Sequence, residues 1–264
     1  MKFKKHEIAL MAFMAIIIVA SCVIILLVVR EYSAGEVTYI AFREYVSLPE
    51  ETPAESQPAG MTEMPEAEGN ERKEYNVDTA PPEVDFADLQ ALNPDIIGWI
   101  YSAGTPVNYP IVQGETNEEY LYRMADGSGN KCGSIFLDCK NDGNFQDANN
   151  VIHGHNMSNG SMFAELKMYA EQEYYDKHPK IWLVTPDRTY GIEIFAAFVT
   201  TTDSEVWRLT FSSEEEFNAW KSEMVRSSYI KSKVFSAEGE TVVTLSTCSY
   251  EFDNAHFVVM GILR

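Results

Sequence analysis

The sequence predicts a mostly β domain, a barrel with helical additions, that follows a single transmembrane helix. Two observations support this fold class. Many short runs of β-branched and aromatic residues, separated by turn residues, fill the second half of the chain, and only one clear amphipathic helix interrupts them late. An uninterrupted apolar run lies close to the amino terminus. With 264 residues, 45% of them hydrophobic, the chain is long enough for a core of its own.

The apolar run covers residues 8–29, in which only Ser21 and Cys22 are at all polar. At about 1.5 Å per residue, such a helix spans a hydrocarbon layer of about 30 Å. Three lysines precede it, so residues 1–7 are expected to be a cytoplasmic tail and the rest of the chain to lie outside the plasma membrane. The prediction is an uncleaved, single-pass signal anchor.

Two alternatives to the anchor stay open. A cleaved signal peptide has a shorter apolar region, of about 7–15 residues, than the one found here. The run Val19-Ala20-Ser21-Cys22 resembles a lipoprotein cleavage box, but cleavage there would leave the apolar residues 23–29 on the mature protein.

The formal net charge is −20, and the acidic residues lie almost entirely after the apolar run. A nucleic-acid-binding protein is therefore not expected, because no basic face could neutralise phosphates. Residues 30–83 combine six prolines with many glutamates and few large apolar side chains, which predicts an acidic extracellular spacer. The globular domain is expected to cover residues 84–264.

Within that domain the pattern predicts each element in turn. A short helix over 85–92 places Phe86 and Leu89 on one side and ends at Asn93-Pro94. Ser213 can cap a later helix over 213–227, whose first turn is acidic. A further helical segment is predicted over 162–169. The predicted strands are 96–101, 111–112, 133–137, 149–152, a hairpin of 180–185 with 190–201, then 241–247 and 255–263.

Cys248 is the first candidate for chemistry. It ends the predicted strand in the run Thr244-Leu245-Ser246-Thr247-Cys248. A cysteine is a strong nucleophile when a base or cation favours its thiolate, and a strand end presents it rigidly. On residue type alone, a buried and inert thiol is the alternative. Cys132 and Cys139 would lie about 23 Å apart on an extended segment, so no disulfide is expected between them.

A base for such a thiol has to come from the histidines. His153 and His155 flank Gly154 at the end of a predicted strand, whereas His178 lies in a polar turn and is expected to be exposed. A structural loop or a metal-binding pair are alternatives for the His-Gly-His run. A metal site has little support, because no third ligand occurs at a suitable spacing. No metal or cofactor is predicted.

The run ending at Cys248 resembles the Thr-Leu-x-Thr-Cys signature of sortases, the membrane-bound cysteine transpeptidases of Gram-positive bacteria. Further segments resemble the family's strands in the same order: 93–100, 109–113, 133–138 and 152–157. The resemblance covers about residues 84–264. The helix over 213–227 and the helical segment before Trp99 are similar to class B.

This resemblance implies an eight-stranded sortase barrel in which Cys248 is the nucleophile and His155 its acid/base partner. It implies cleavage of a sorting motif near the carboxyl end of surface proteins, through a thioacyl intermediate. Transfer to an amine of a peptidoglycan precursor or cross-bridge would follow. The family also has a catalytic arginine on the last strand, and the position expected for it holds His256. Arg264 lies about 26 Å further along an extended strand and cannot replace it.

A histidine is shorter than an arginine and largely neutral at pH 7. The sequence therefore leaves alternatives open: a transpeptidase of reduced activity, or a sortase-like surface protein that binds sorting signals or assembly partners without turnover. A cysteine peptidase that hydrolyses its thioacyl intermediate is a third, because hydrolysis and transfer use the same first step.

Overall fold

The structure, a computed structural model, describes residues 5–49, 80–234 and 239–264, and eight strands within these ranges close into a barrel. The described strands are β1 (Val46–Ser47), β2 (Glu83–Val84), β3 (Ile96–Tyr101), β4 (Asn108–Val112), β5 (Ile135–Leu137), β6 (Asn149–His153), β7 (Lys180–Val184), β8 (Thr189–Thr201), β9 (Thr241–Cys248) and β10 (Ala255–Leu263). The barrel order is β10-β8-β7-β3-β4-β5-β6-β9, which confirms the predicted eight-stranded, mostly β architecture.

Most neighbouring strands of the barrel are antiparallel, but β4–β5 and β6–β9 run parallel. The β6–β9 pair matters most for function, because it places His153 beside Ser246. The predicted β7–β8 hairpin is confirmed, as are the predicted strands over β3, β9 and β10.

The barrel interior is filled by large apolar side chains. Trp99 is fully buried, and its indole Nε1–H donates to Asn108 Oδ1 at 2.7 Å. The side chains of β9 and β10 that face outward are covered by α4 (Glu214–Ser227). Ser213 caps this helix by accepting the N–H of Glu216, as its position predicted. The short helix α2 (Phe86–Leu92) is likewise confirmed and begins at an Asp85 cap.

One local prediction was right only in part, and another was wrong. The helix predicted over 162–169 is a 3-10 helix, Ala164–Ala170, followed by α3 (Gln172–Lys177). Met162 has a positive φ of 59°, so the helix cannot begin there. His178 is buried rather than exposed, and its ring packs 4.6 Å from that of Tyr174.

The amino-terminal helix α1 runs from Lys5 to Arg43, well beyond the end of the apolar run. Tyr39 and Phe42, on one side of α1, are buried in the main core of the barrel. The Tyr39 hydroxyl donates to the carbonyl of Gly133 at 2.5 Å, and Arg43 Nε donates to the carbonyl of Asn108. The last turns of α1 therefore pack with the barrel, although they lie before the predicted start of the domain at residue 84.

The ends of the segment after α1 lie side by side. β1 pairs with β2 in antiparallel register, Val46 with Val84 and Ser47 with Glu83. The two ends of the chain between them therefore meet at one place. Residues 50–79, most of the predicted acidic spacer, lie outside the described residues, as do residues 1–4 of the predicted cytoplasmic tail.

We expect Tyr39→Ala to lower the free energy of unfolding by about 3–5 kcal/mol, because it removes a fully packed aromatic ring. Tyr39→Phe should cost about 1 kcal/mol, since the ring stays and only the hydroxyl's hydrogen bonding to Gly133 and Ser134 is lost. Urea unfolding of the full chain in detergent measures both. Tyr250→Ala, at a residue 81% exposed, is the matched control. Equal effects of Tyr39→Ala and Tyr250→Ala would show that α1 contributes nothing to the barrel core.

Candidate active site

The thiol at the end of β9 is open to solvent. Cys248 is the last residue of that strand and is exposed, which excludes the buried, inert cysteine left open by the sequence. His256 of β10 lies directly opposite it in the antiparallel register. Directly opposite residues have their Cβ atoms about 4.5–5.5 Å apart on one face of the sheet. The strand pairing therefore makes His256 an immediate neighbour of the thiol.

The segment that carries His155 is fastened to the same strand. The N–H of Gly154 donates to the carbonyl of Ser246 at 3.0 Å, and Asn156 Nδ2 donates to the carbonyl of Cys248 at 2.9 Å. The residues on both sides of His155 are thus bonded to the last residues of β9, up to the thiol itself. A glycine is needed at 154, because a Cβ atom there would collide with Ile135 and Phe163.

The orientation of the His155 ring decides which nitrogen can do chemistry. Its Nε2 lies 2.6 Å from the carbonyl oxygen of Leu121. A carbonyl only accepts hydrogen bonds, so Nε2 must carry the proton of this contact. That assignment leaves Nδ1 as the nitrogen that can exchange a proton with the thiol or with a leaving amine. The ring of Tyr122 lies beside it, 5.7 Å between ring centroids.

His256 lies in a confined aromatic environment. Its Nδ1 is 3.3 Å from Ser246 Oγ, and the ring of Trp207 meets it edge-on at 5.3 Å. Burial lowers the pKa of His256 below its usual 6.5, and the nearby charge of His153 lowers it further. At neutral pH the ring is therefore uncharged, in contrast to an arginine at that place.

His153 belongs to a different cluster from His155. Its Nε2 lies 3.2 Å from Asp138 Oδ2, and its ring stacks on Trp207 at 6.2 Å. Burial alone would raise the pKa of Asp138, but hydrogen bonds, first among them that of His153, lower it to about 2. The two histidines of the His-Gly-His run thus have separate partners. Among the described residues, no group of three or more His, Cys, Asp or Glu side chains could hold a metal ion.

Sequence reasoning missed three contributors to this site. Ser246 stands two residues before Cys248 on the same strand, so strand alternation alone could have placed it on the thiol's face. Trp207 and the carbonyl of Leu121 come from distant loops, and no local sequence signal places them at the site. Cys132 is buried beneath α1, and all four cysteines are free.

Known proteins resemble this chain in sequence. The family model described as a sortase domain matches residues 100–263. Sortase B of Listeria monocytogenes is 34% identical over 179 residues, which are 67% of this chain and 73% of that protein.

Solved structures of sortase B resemble this chain as well. The crystal structure of Staphylococcus aureus sortase B superposes with a TM-score of 0.65 at 32% identity, covering 68% of this chain and 86% of that one. A Staphylococcus aureus sortase B–substrate complex also has a TM-score of 0.65 at 32% identity, over 68% of this chain and 84% of that one. A structure of sortase B complexed with triglycine has a TM-score of 0.64 at 32% identity, over 68% of this chain and 85% of that one.

Proposed function

The chain belongs to the sortase family, and from this premise we propose that it is a class B cysteine transpeptidase acting outside the plasma membrane. Its substrates would be surface proteins with a sorting motif near the carboxyl end, and its acceptor an amine of a peptidoglycan precursor or cross-bridge. No cofactor takes part. The proposal rests on the two hydrogen bonds, from Gly154 and Asn156, that hold the His155 segment against the end of β9 at the exposed Cys248.

The reaction begins when the Cys248 thiolate attacks the carbonyl carbon of the threonine in the sorting motif. The peptide C–N bond then breaks, and the leaving amine takes a proton from Nδ1 of the His155 imidazolium. A thioacyl enzyme remains on Sγ. The acceptor amine attacks this thioester, loses a proton to His155 and releases the thiolate, so that an amide replaces the thioester.

His155 suits this role because a hydrogen bond at its other ring nitrogen, Nε2, holds the ring in place. The Nε2–H donates to Leu121, which fixes the ring plane and keeps Nδ1 available in both the neutral and the charged form. The complexes of related sortase B proteins with a substrate and with triglycine support a peptide donor and an amine acceptor for this chain.

His256 takes the place where the family resemblance puts an arginine, and we propose that this limits the rate. A neutral imidazole offers at most one N–H, whereas guanidinium offers a charged, planar set of donors to the oxyanion and the substrate carbonyls. The same observation favours the second candidate function, a surface protein that binds sorting signals with little turnover.

We further propose that α1 anchors the protein in the membrane. Its helix includes one stretch, Phe13–Arg43, that is long and apolar enough to cross a bilayer, with a mean hydropathy of 2.9 in its most apolar window. Because Tyr39 and Phe42 are buried in the barrel, the part within the bilayer must end earlier, near Arg30. The acidic character of the rest of the chain gives no support to a nucleic-acid partner.

We expect the full chain in detergent, incubated with class B sorting peptides, to form a thioacyl adduct that intact-mass spectrometry detects. Cys248→Ala should form none, and His155→Ala should form it about 10²–10⁴ times more slowly. Cys139→Ala, at a thiol outside the site, is the control and should react normally. An adduct that persists in Cys248→Ala would refute the assigned nucleophile.

His256→Arg should accelerate adduct formation by about 10²–10³, since it restores a charged donor at the oxyanion. Rapid-quench mixing with mass detection measures the rate, and His256→Gln is the uncharged control. If the arginine variant is no faster than the unchanged chain, position 256 does not limit the reaction.

The pH dependence tests the same residue independently. The ratio of the unchanged rate to the His256→Gln rate isolates the charge on His256, because the glutamine side chain stays neutral at every pH. Because the pKa of His256 is lowered, this ratio should be flat above pH 6.5 and rise only below it, as the imidazole gains its charge. His153→Gln removes a like charge and should move the rise to higher pH. A ratio that is constant with pH would contradict an electrostatic role for position 256.

A further inference from the structure

A loop of the barrel, residues 121–131, lies at the point where α1 leaves its apolar run. Glu31 is the second residue after that run, and its carbonyl accepts a hydrogen bond from Asn130 Nδ2 at 3.0 Å. Its carboxylate lies 3.2 Å from Lys131 Nζ. One residue later, the Tyr32 hydroxyl approaches Ser158 Oγ at 3.4 Å. The loop is therefore bonded to α1 just after the apolar run ends, which is where the surface of a bilayer would lie.

Tyr122 is the prominent side chain of this loop. The N–H of Asn130 donates to the Tyr122 carbonyl at 3.0 Å, so Tyr122 lies directly across the loop from the residue that bonds α1. Its side chain is 61% exposed although it is large and aromatic. Tyrosine is enriched where a membrane protein meets the headgroup layer, because its ring is apolar and its hydroxyl is polar.

We propose that the 121–131 loop rests on the bilayer that holds α1, with Tyr122 inserted in the headgroup layer. The helix α1 continues from its apolar run into the barrel without a break, so the barrel cannot swing away from the membrane surface. The cations of the loop itself do not supply the attraction, because Arg123 is paired with Glu119 and Lys131 with Glu31. The loop's own contribution to the contact is thus aromatic rather than electrostatic.

This contact has a consequence for catalysis, which rests on the proposed function. The carbonyl that orients His155 belongs to Leu121, and the Tyr122 ring lies beside the imidazole. The loop that touches the bilayer therefore also positions the proposed general acid. The active site opens at the membrane surface, where a donor or acceptor that is itself held in the membrane would meet it.

The far end of the barrel supplies a control position. Asp187 lies in the β7–β8 turn, which lines a groove together with Gln90 of α2. That helix begins beside Tyr45, where the N–H of Asp85 donates to the Tyr45 carbonyl. Tyr45 lies just past the end of α1, roughly 20 Å beyond Tyr32 if the helical rise is continued.

The test uses the full chain carrying Cys248→Ala, reconstituted in phosphatidylcholine nanodiscs, so that its outcome does not depend on turnover. The photocrosslinker p-benzoylphenylalanine replaces Val19, Tyr122 or Asp187 in turn, and mass spectrometry after illumination measures the lipid adduct. We expect adducts at 19 and 122, with at least about tenfold less at 187.

An adduct at 19 without one at 122 would overturn the proposal, and so would equal adducts at 122 and 187. Absence of an adduct at 19 would overturn it as well, because the loop has no bilayer to rest on unless α1 is inserted. None of these results bears on the thioacyl chemistry, which the peptide adduct tests separately.

Discussion

The parallel pairing of β6 with β9 is the constraint on which the site depends. It fixes the end of β6 beside Ser246, and the two hydrogen bonds that follow, from Gly154 and Asn156, extend that register to the end of β9. A slip of one residue between these strands would turn Cys248 toward the barrel interior and separate it from His155. The rest of the barrel, including the apolar interior around Trp99, holds these two strands in place.

The same register explains why the environment of His256 is so different from that of His155. His256 faces Cys248 across an antiparallel pair and is enclosed by Ser246 and Trp207. His155 lies on the loop side of the thiol and is oriented by a backbone carbonyl. Each imidazole is therefore kept near the thiol by different elements, and only His155 has a partner that dictates which nitrogen is protonated.

Period-two patterning and turn residues were enough to predict most strands of the barrel, because β-branched runs between turns leave few alternatives. The chemistry of Cys248 and His155 came from the family resemblance, since residue type alone left an inert cysteine open. Contacts between distant segments could not be predicted locally. Trp207 reaches His256 from a 3-10 turn, and His178 is buried by the ring of Tyr174 despite its polar neighbours. The contact of α1 with the barrel could not be predicted locally either, because the Tyr39 hydroxyl bonds to Gly133, which is 94 residues away.

The pairing of β1 with β2 holds the two ends of the chain between them side by side. Since Val46 and Val84 are neighbours whatever lies between, the entropy of closing that connection changes only slowly with its length, by about 0.6 kcal/mol for each doubling. A protease cut between Ser47 and Glu83 would leave two polypeptides that stay associated, because α1 packs into the barrel core and β1 pairs with β2.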